Sequence, residues 1–285
     1  MKSIITIGTP AVYFGDFLET YPEYTLYSFN HTHAEFKVPV FSTAERYEEP
    51  LVGLDEYLTT VADDLVCVIS GGEVVSLVCL QILEKLKNKK IEVIYLQPEL
   101  DILNKTGIMV HNLVQGVLQE MTRSHVFSRF YLFDLALAKK VTPNAVLCEV
   151  PKKVAEMCAQ HYHTYSWLSS QESVFGVNED KIENATISSL SYCDFNLTNI
   201  TNLGILGFIR EQEVFYGIPA KKLEEDTGLY DEVLKSFKNF KKEEIRTSFN
   251  VFSVPFDDEV VYIRNSTTAV QNKVLKEALD KAREV

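Results

Sequence analysis

The sequence has no apolar run long enough to cross a membrane as a helix. Such a helix needs about 18 or more consecutive apolar residues, and no run in this chain approaches that length. The N-terminal stretch, residues 1–8, reaches a glycine too soon to hold a signal-peptide core and is typical of a buried strand. The sequence therefore predicts a cytoplasmic protein without a membrane partner.

Paired cysteines and metal-ligand clusters are also missing. The five cysteines are scattered, odd in number and without CxxC spacing, and Cys67 and Cys79 occupy apolar periodic positions. Free buried thiols fit this pattern best. His161 and His163 are two residues apart, so they lie on different faces of a helix, and no nearby cysteine or carboxylate completes a ligand set. We expect no metal site.

Positive charge is scarce. The chain carries 28 Lys and Arg against 40 Asp and Glu, a formal net charge of −12. Such a surface repels nucleic acid as a whole. The lysine-rich stretches at residues 87–90 and 235–242 are typical of solvated helix ends. We expect no nucleic-acid partner.

Three short apolar runs in residues 65–134 organise what the chain does contain. They cover residues 65–70, 91–96 and 130–133, and helical patterns separate them. Strands and helices that alternate in this way are typical of βαβ units on a parallel sheet. In such sheets, ligands bind beyond the carboxyl ends of the strands. The pattern predicts an α/β fold with a ligand site at that edge.

Glycines stand at two of the predicted strand ends. Gly71 and Gly72 follow the strand at residues 65–70, and Gly8 ends a strand at residues 4–7 before a short helix. Glycine lets backbone N–H groups approach an anion closely, and a helix N-terminus adds partial positive charge. Neither GxGxxG nor a GK[ST] ending is present, so no dinucleotide fingerprint or P-loop is predicted. The alternative for each glycine is a tight strand-to-helix turn.

The pattern changes in the second half of the chain. A polar stretch at residues 169–184 is typical of a hinge. Beyond it, residues 187–193, 204–210, 247–254 and 259–263 have strand patterns, and residues 229–240 have a helical one. We predict a first domain at 1–168, an α+β domain at 185–264 and an amphipathic helix at 265–285. That helix packs either on its own domain or on a neighbouring subunit.

This order of parts resembles the tubulin/FtsZ superfamily. The strand ending at Gly8, the Ser70-Gly71-Gly72-Glu73 loop, the segment leading to Asp134 and the loop at Asp194 each resemble a part of that family. The chain is most similar to the tubulin-like proteins that bacteriophages encode. The resemblance implies a Rossmann-like tubulin/FtsZ-type nucleotide-binding domain with a smaller α+β domain. It also implies a homopolymer in the bacterial cytoplasm, with phage infection as a candidate setting.

The resemblance further implies a GTP site, holding GTP or GDP with or without Mg. Asp194 is then the catalytic acid, inserted near the γ-phosphate of the next subunit, where it orients water. Asp134 reads the guanine. The residues expected to bind the nucleotide are Gly8, Thr9, Ser70, Gly71, Gly72, Glu73 and Asp134.

The chain departs from the family pattern at three places. Glu73 follows the two glycines at a helix start, where its carboxylate would repel a phosphate, although acidic residues also favour a first helical turn. Leu197 stands where a second catalytic carboxylate is expected. Asp134 replaces an asparagine but can still accept hydrogen bonds from guanine. Asp194 also suits a helix N-cap.

Three functions remain open on these residues. The first is a GTPase that forms head-to-tail filaments. The second is a structural or assembly protein that keeps the fold but has lost the nucleotide, which the eroded glycine loop favours. The third is another doubly wound α/β enzyme for a small anion, for which no nucleophile–base pair is present.

Overall fold

The computed structural model describes residues 2–142, 146–177 and 185–268. Backbone contacts divide the chain into two units, Met1–Gln160 and His161–Val285. The boundary falls within one helix, Val150–Ser170. The predicted domain limits of 1–168 and 185–264 stay a prediction.

The first unit is built on a parallel sheet. Its strands are β1 (Lys2–Ile7), β2 (Tyr24–Asn30), β3 (Phe36–Lys37), β4 (Asp64–Ser70), β5 (Lys90–Gln97) and β6 (Arg129–Asp134). They stand in the order β3-β2-β1-β4-β5-β6, and every neighbouring pair is parallel. The carboxyl ends of all six strands therefore meet at one edge, which is where such sheets bind ligands.

Helices and short turns connect these strands. The helices are α1 (Thr9–Leu18), α2 (Leu54–Tyr57), α3 (Cys79–Leu86), α4 (Lys105–Arg123), α5 (Leu135–Val141) and α6 (Val150–Ser170), which ends in the second unit. Three 3-10 turns lie at Ala44–Glu48, Val74–Val78 and Leu100–Ile102.

The central strands are buried on both faces, which explains their continuous apolar runs. All of the β4 residues after Asp64 are buried, and so are the four residues 93–96 of β5. On α3, Ile82, Leu83 and Leu86 recur at helical spacing and are buried. Each fully buried aliphatic side chain contributes about 1.5–3 kcal/mol to folding.

The second unit has a mixed sheet. Its strands are β7 (Phe175–Val177), β8 (Ile187–Cys193), β9 (Thr201–Asn202), β10 (Glu211–Pro219), β11 (Arg246–Val254) and β12 (Val260–Thr267). The pair β10–β11 is parallel, whereas β8–β9, β8–β12, β12–β10 and β11–β7 are antiparallel. Two helices, α7 (Ala220–Glu225) and α8 (Leu229–Phe240), complete the unit.

A buried polar network in this unit joins side chains of β10, β11, β12 and α6. Arg264 forms an ion pair with Glu213 and donates to the Tyr165 hydroxyl at 3.0 Å. Asn250 also donates to Glu213, at 3.2 Å. Buried charges require such partners, because an unpaired buried charge is costly.

Several predicted elements differ from the structure. Residues 204–210 are not a strand, and β10 begins only at Glu211. The helix expected directly after Gly72 starts as a 3-10 turn and becomes α-helical only at Cys79. Residues 265–267 belong to β12, and residues 269–285 of the predicted terminal helix lie outside the described residues.

Two other sequence expectations concern membranes and metals. Within the described ranges, no helix is long and apolar enough to cross a membrane. The same ranges contain no cluster of three or more His, Cys, Asp or Glu side chains that could hold a metal ion.

Candidate functional site

The candidate site begins where β1 ends and α1 begins. Gly8 separates them with φ 90° and ψ 167°, a conformation that only glycine adopts readily. Glycine has no side chain with which to cap α1, so the first N–H groups of the helix need acceptors from elsewhere. Both acceptors found there come from the end of β4 and the residues just after it.

Glu73 supplies the first acceptor. Its Oε2 accepts a hydrogen bond from the Thr9 backbone N–H at 2.9 Å and a longer one from the Thr9 hydroxyl at 3.3 Å. The Ser70 hydroxyl oxygen accepts from the Ala11 N–H at 2.9 Å. The N-terminus of α1 is therefore capped by side chains about 60 residues away along the chain.

Burial of Glu73 has an electrostatic consequence. The half-buried position raises the pKa of its carboxyl group above the usual value, because burial penalises the charged form. Hydrogen bonds from Thr9 and the charge of His31 act in the opposite direction on the same pKa but do not cancel the shift. Burial thus destabilises the ionised form of the Glu73 carboxylate, and the N-terminus of α1 stabilises that form.

The two glycines that follow β4 are covered by protein atoms. A Cβ on Gly71 would lie 2.5 Å from Pro98 Cδ and 2.6 Å from the Tyr95 hydroxyl. A Cβ on Gly72, which has φ 78°, would lie 2.9 Å from Leu103 Cδ1. Glycine is required at both positions because these side chains pack directly against the backbone. This geometry corresponds to the tight strand-to-helix turn that was the alternative to a phosphate-binding loop.

A buried hydrogen bond fixes the wall beneath Gly71. The Tyr95 hydroxyl lies 2.8 Å from His111 Nδ1 on α4. Burial lowers the pKa of His111 to about 4, so this ring is neutral near pH 7. Tyr95 is therefore held against the glycine turn by a neutral partner.

Asp134 lies at the end of β6 in the same unit. Its Oδ1 accepts from the backbone N–H groups of Ala136 at 2.9 Å and Leu137 at 3.2 Å. This is an N-cap of α5. The carboxylate that was expected to read guanine is engaged by its own helix.

Asp194 lies in the loop after β8 in the second unit. Its two carboxylate oxygens accept from the backbone and side-chain donors of Thr198 and Asn199. These hydrogen bonds hold the pKa of Asp194 below its usual value, so the group is ionised near pH 7. The expected helix N-cap at Asp194 is not present, because residues 195–200 form a turn and not a helix.

Leu197 completes that loop. It has φ 58°, an uncommon conformation for a branched side chain, and only 6% of its surface is exposed. Its side chain packs in the apolar cluster of the unit with residues of β10, β11 and α8. The loop is thus anchored by an apolar side chain at the position where the sequence resemblance predicted a second carboxylate.

The surroundings of Asp194 form a cleft of about 930 Å³ that the sequence did not predict. Its lining includes six carboxylates and two lysines, namely Asp194, Glu225, Asp226, Asp257, Asp258, Glu259, Lys221 and Lys222. Lys222 is 2.6 Å from Glu259 and 5.0 Å above the Phe195 ring. The cleft is negative overall, so it disfavours an anionic ligand.

The structure thus separates the predicted residues into groups. Gly8, Thr9, Ser70 and Glu73 contact one another at the α1 corner. Gly71 and Gly72 turn away into packing with Tyr95, Pro98 and Leu103. Asp134 and Asp194 each cap backbone near themselves.

Asn30 also belongs to this corner, although the sequence pattern did not predict it. Its side-chain N–H donates to the Thr9 hydroxyl oxygen at 3.2 Å. A signal existed, because Asn30 ends β2 beside β1 and side chains at neighbouring strand ends meet. The sequence also placed Glu73 at the start of its own helix, whereas its carboxylate caps α1.

Comparisons with known proteins bear on the fold. No protein-family model matches the sequence, and no curated protein sequence matches it. Solved structures do match. The GTPγS-form protofilament of TubZ from Bacillus thuringiensis serovar israelensis has a TM-score of 0.67 and 11% identity, covering 99% of this chain and 92% of that one.

Two further structures give the same result. CetZ2 from Haloferax volcanii, in a GTPγS-bound protofilament, has a TM-score of 0.62 and 12% identity over 99% of both chains. The empty FtsZ dimer of M. jannaschii has a TM-score of 0.61 and 10% identity, over 93% of this chain and 88% of that one. The expected fold class is confirmed, and this chain has the tubulin/FtsZ fold.

Proposed function

We propose that this protein self-assembles head to tail into filaments and that it does so without a nucleotide at the α1 corner. The observation that carries the proposal is the Glu73 carboxylate, which accepts the Thr9 donors at the helix N-terminus. A phosphate there would have to displace this anion. Two negative groups in one partly desolvated corner repel each other strongly.

Support for assembly comes from the fold. TubZ and CetZ2 share it and were solved as protofilaments. A head-to-tail contact joins two different surfaces of one protein, so it does not close and generates a filament. We therefore take this chain itself as its partner. The setting that we propose is the bacterial cytoplasm, and phage infection is the finer proposal that the sequence resemblance suggests.

A second candidate keeps the nucleotide. The TubZ and CetZ2 protofilaments are GTPγS forms, which favours GTP binding by the shared fold. In this version Gly8, Thr9, Ser70, Gly71, Gly72 and Glu73 surround the phosphates, with or without Mg, and Asp134 contacts guanine. Asp194, ionised near pH 7, orients water at the subunit junction.

Sedimentation and electron microscopy with and without nucleotide separate the two candidates. The purified protein is incubated without nucleotide, with GDP, and with GTP or GTPγS in the presence of Mg. We expect the same filaments and the same pelleted fraction in every condition. Mass spectrometry of the purified protein should find no guanine nucleotide in a near-equal amount.

The same sedimentation and microscopy measurements are repeated with the Asp194→Ala variant. Its control is Asp231→Ala, which removes an exposed carboxylate elsewhere in the same unit. Our proposal predicts that both variants assemble and disassemble like wild type. The GTPase candidate would be established by two results together. Filaments would form only with GTP, and Asp194→Ala, but not Asp231→Ala, would slow their disassembly. Absence of filaments in every condition would refute self-assembly.

A further inference from the structure

Two exposed surfaces of the second unit carry opposite charge. The first is the cleft of about 930 Å³ described above, called here the acidic cleft. The second is residues 235–242 at the C-terminal half of α8, called here the lysine end. We propose that the lysine end of one copy of this chain docks in the acidic cleft of the next copy. The inference rests on the self-assembly proposed above and adds the two surfaces that meet.

The acidic cleft needs a cation to balance its charge. It has six carboxylates against two lysines. Asp194 and Asp226 already accept hydrogen bonds from backbone N–H groups of their own loops. Asp257 and Asp258 are exposed in the loop that joins β11 to β12. Neighbouring carboxylates repel each other, and a cation placed between them removes that cost.

The lysine end supplies such cations. Lys235 and Lys238 are three residues apart on α8 and so share one face, Lys241 lies at the helix C-terminus, and Lys242 follows. All four side chains are exposed. Within the described ranges, Lys235, Lys238 and Lys242 form no ion pair. Residues 235–244 hold four lysines against two glutamates, so this end of the helix is positive.

Strand direction places the two surfaces at opposite ends of the unit. β10 ends at Pro219, which lines the cleft, and β11 runs parallel to it from Arg246. Because α8 connects the end of β10 to the start of β11, it runs back from the cleft to the strand starts. β11 has nine residues, which corresponds to roughly 25–30 Å. The lysine end therefore cannot reach the cleft of its own copy.

Charge complementarity favours a second copy as the occupant of the cleft. The chain has a formal net charge of −12, so its copies repel one another as a whole. A contact that pairs opposite charges removes this repulsion locally and orients the encounter. The contact also joins two different surfaces of one chain, so it repeats without closing.

The experiment reverses the charge of each surface and measures the lowest protein concentration at which filaments pellet. The cleft variant carries Glu225→Lys, Asp257→Lys and Asp258→Lys. The helix variant carries Lys235→Glu, Lys238→Glu and Lys242→Glu. We expect each variant alone to need about tenfold more protein than wild type, because like charges then face each other. General repulsion predicts the opposite for the cleft variant, whose net charge is less negative.

An equal mixture of the two variants tests the contact itself. The reversed cleft then faces the reversed lysine end, and the unchanged surfaces face each other. We expect the mixture to pellet at nearly the wild-type concentration, with equal amounts of both variants in the pellet. Lysines in a last helical turn also stabilise the helix itself, but damage to that role would not be repaired by mixing. Loss of assembly without this rescue would overturn the proposal.

The matched control has the same change of net charge as the helix variant. It carries Lys139→Glu, Lys152→Glu and Lys153→Glu, which are exposed in the first unit. It should assemble like wild type, and circular dichroism should show that all three variants are folded. A control that needs as much protein as the helix variant would attribute the effect to net charge and overturn the contact.

Two other results separate this inference from the proposed function. Wild-type filaments that both variants form equally well would refute the contact and leave self-assembly intact. If spermidine then raised the melting temperature of wild type but not of the cleft variant, the cleft would be assigned to a small polycation instead. Absence of wild-type filaments would refute the proposed function, and this contact with it.

Discussion

Glu73 in the first unit and Asp194 in the second are carboxylates that cap backbone in opposite surroundings. Glu73 reaches Thr9, 64 residues away, from a half-buried position that raises its pKa. Asp194 bonds to Thr198 and Asn199, four and five residues ahead, and these bonds lower its pKa. The comparison shows that the role of a carboxylate at a predicted ligand site depends on its hydrogen-bond donors and on its burial.

The difference also bears on function. At the α1 corner, a carboxylate occupies the position where the sequence resemblance predicts a phosphate, and in the Asp194 loop Leu197 occupies the position where it predicts a second carboxylate. Both residues make contacts within the chain, Glu73 with Thr9 and Leu197 with the apolar cluster of the second unit. These contacts are consistent with the proposed filament protein that binds no nucleotide.

The largest expected effect is the loss of stability caused by substitutions of Leu197. Leu197→Asp should lower the free energy of unfolding by about 4 kcal/mol, because it removes a packed side chain and buries a charge. Leu197→Asn is the matched control, since asparagine tolerates positive φ and is uncharged. Urea unfolding followed by fluorescence of Trp167, the single tryptophan of the chain, reports on this unit. Equal losses in the two variants would show that the loop accommodates a carboxylate.

The next largest effect is the loss of stability expected from a substitution of Gly8 at the α1 corner. Gly8→Ala should cost about 3 kcal/mol, because it combines a strained positive φ with a clash against Ser70. The control is Gly116→Ala on α4, where an added methyl group would meet nothing within 4 Å and should stabilise the helix by about 0.5–1 kcal/mol. Urea unfolding followed by far-UV circular dichroism gives both values. A neutral Gly8→Ala would mean that the corner is looser than the contacts indicate.

A smaller effect comes from the ionisation of Glu73. Its pKa is raised in the folded state, so the folded protein binds more protons than the unfolded chain as the pH rises from about 4.5 to that raised pKa. Stability relative to Glu73→Gln should therefore fall across this window. Melting temperatures of the two proteins at several pH values provide the test. A constant difference would show that burial does not perturb Glu73.

The smallest effect has the opposite sign. The pKa of Asp194 is lowered in the folded state, so its contribution is present above the usual value of 3.8 and is lost as the pH falls below that value. Compared with Asp194→Asn, wild type should lose no more than about 0.5 kcal/mol, since the carboxylate is screened by solvent. The same melting series detects it. If both carboxylates gave slopes of the same sign, the contrast between the two sites would be wrong.

The hydrophobic pattern of the sequence predicted those strands and helices whose burial shows in their own residues. The strands at residues 65–70, 91–96 and 187–193 and the helix at residues 229–240 were all predicted close to their observed bounds. A continuous apolar run indicates a buried strand, and apolar residues at helical spacing indicate a helix with one buried face, so these elements can be predicted from their own residues. The predicted strand at residues 204–210 failed because its apolar residues are separated by glycines and form a loop.

The candidate site was harder to predict because its contacts are long-range. The sequence placed glycines at strand ends and predicted a helix N-cap at Asp194, whereas the Asp194 carboxylate accepts hydrogen bonds within a turn. No spacing rule relates Glu73 to Thr9, or Gly71 to Tyr95 and Pro98. Those contacts arise from the neighbouring positions of β1, β4 and β5 in the sheet.

The amino-acid sequence by itself determined the α/β character of the first unit, the change to a mixed α+β unit, and the positions of the glycine turns. These depend on the polarity and flexibility of nearby residues. Only the tertiary structure decided what each turn contacts. Strand order brings the end of β4 beside the start of α1, and an acidic residue that would repel a phosphate there becomes the acceptor that caps the helix.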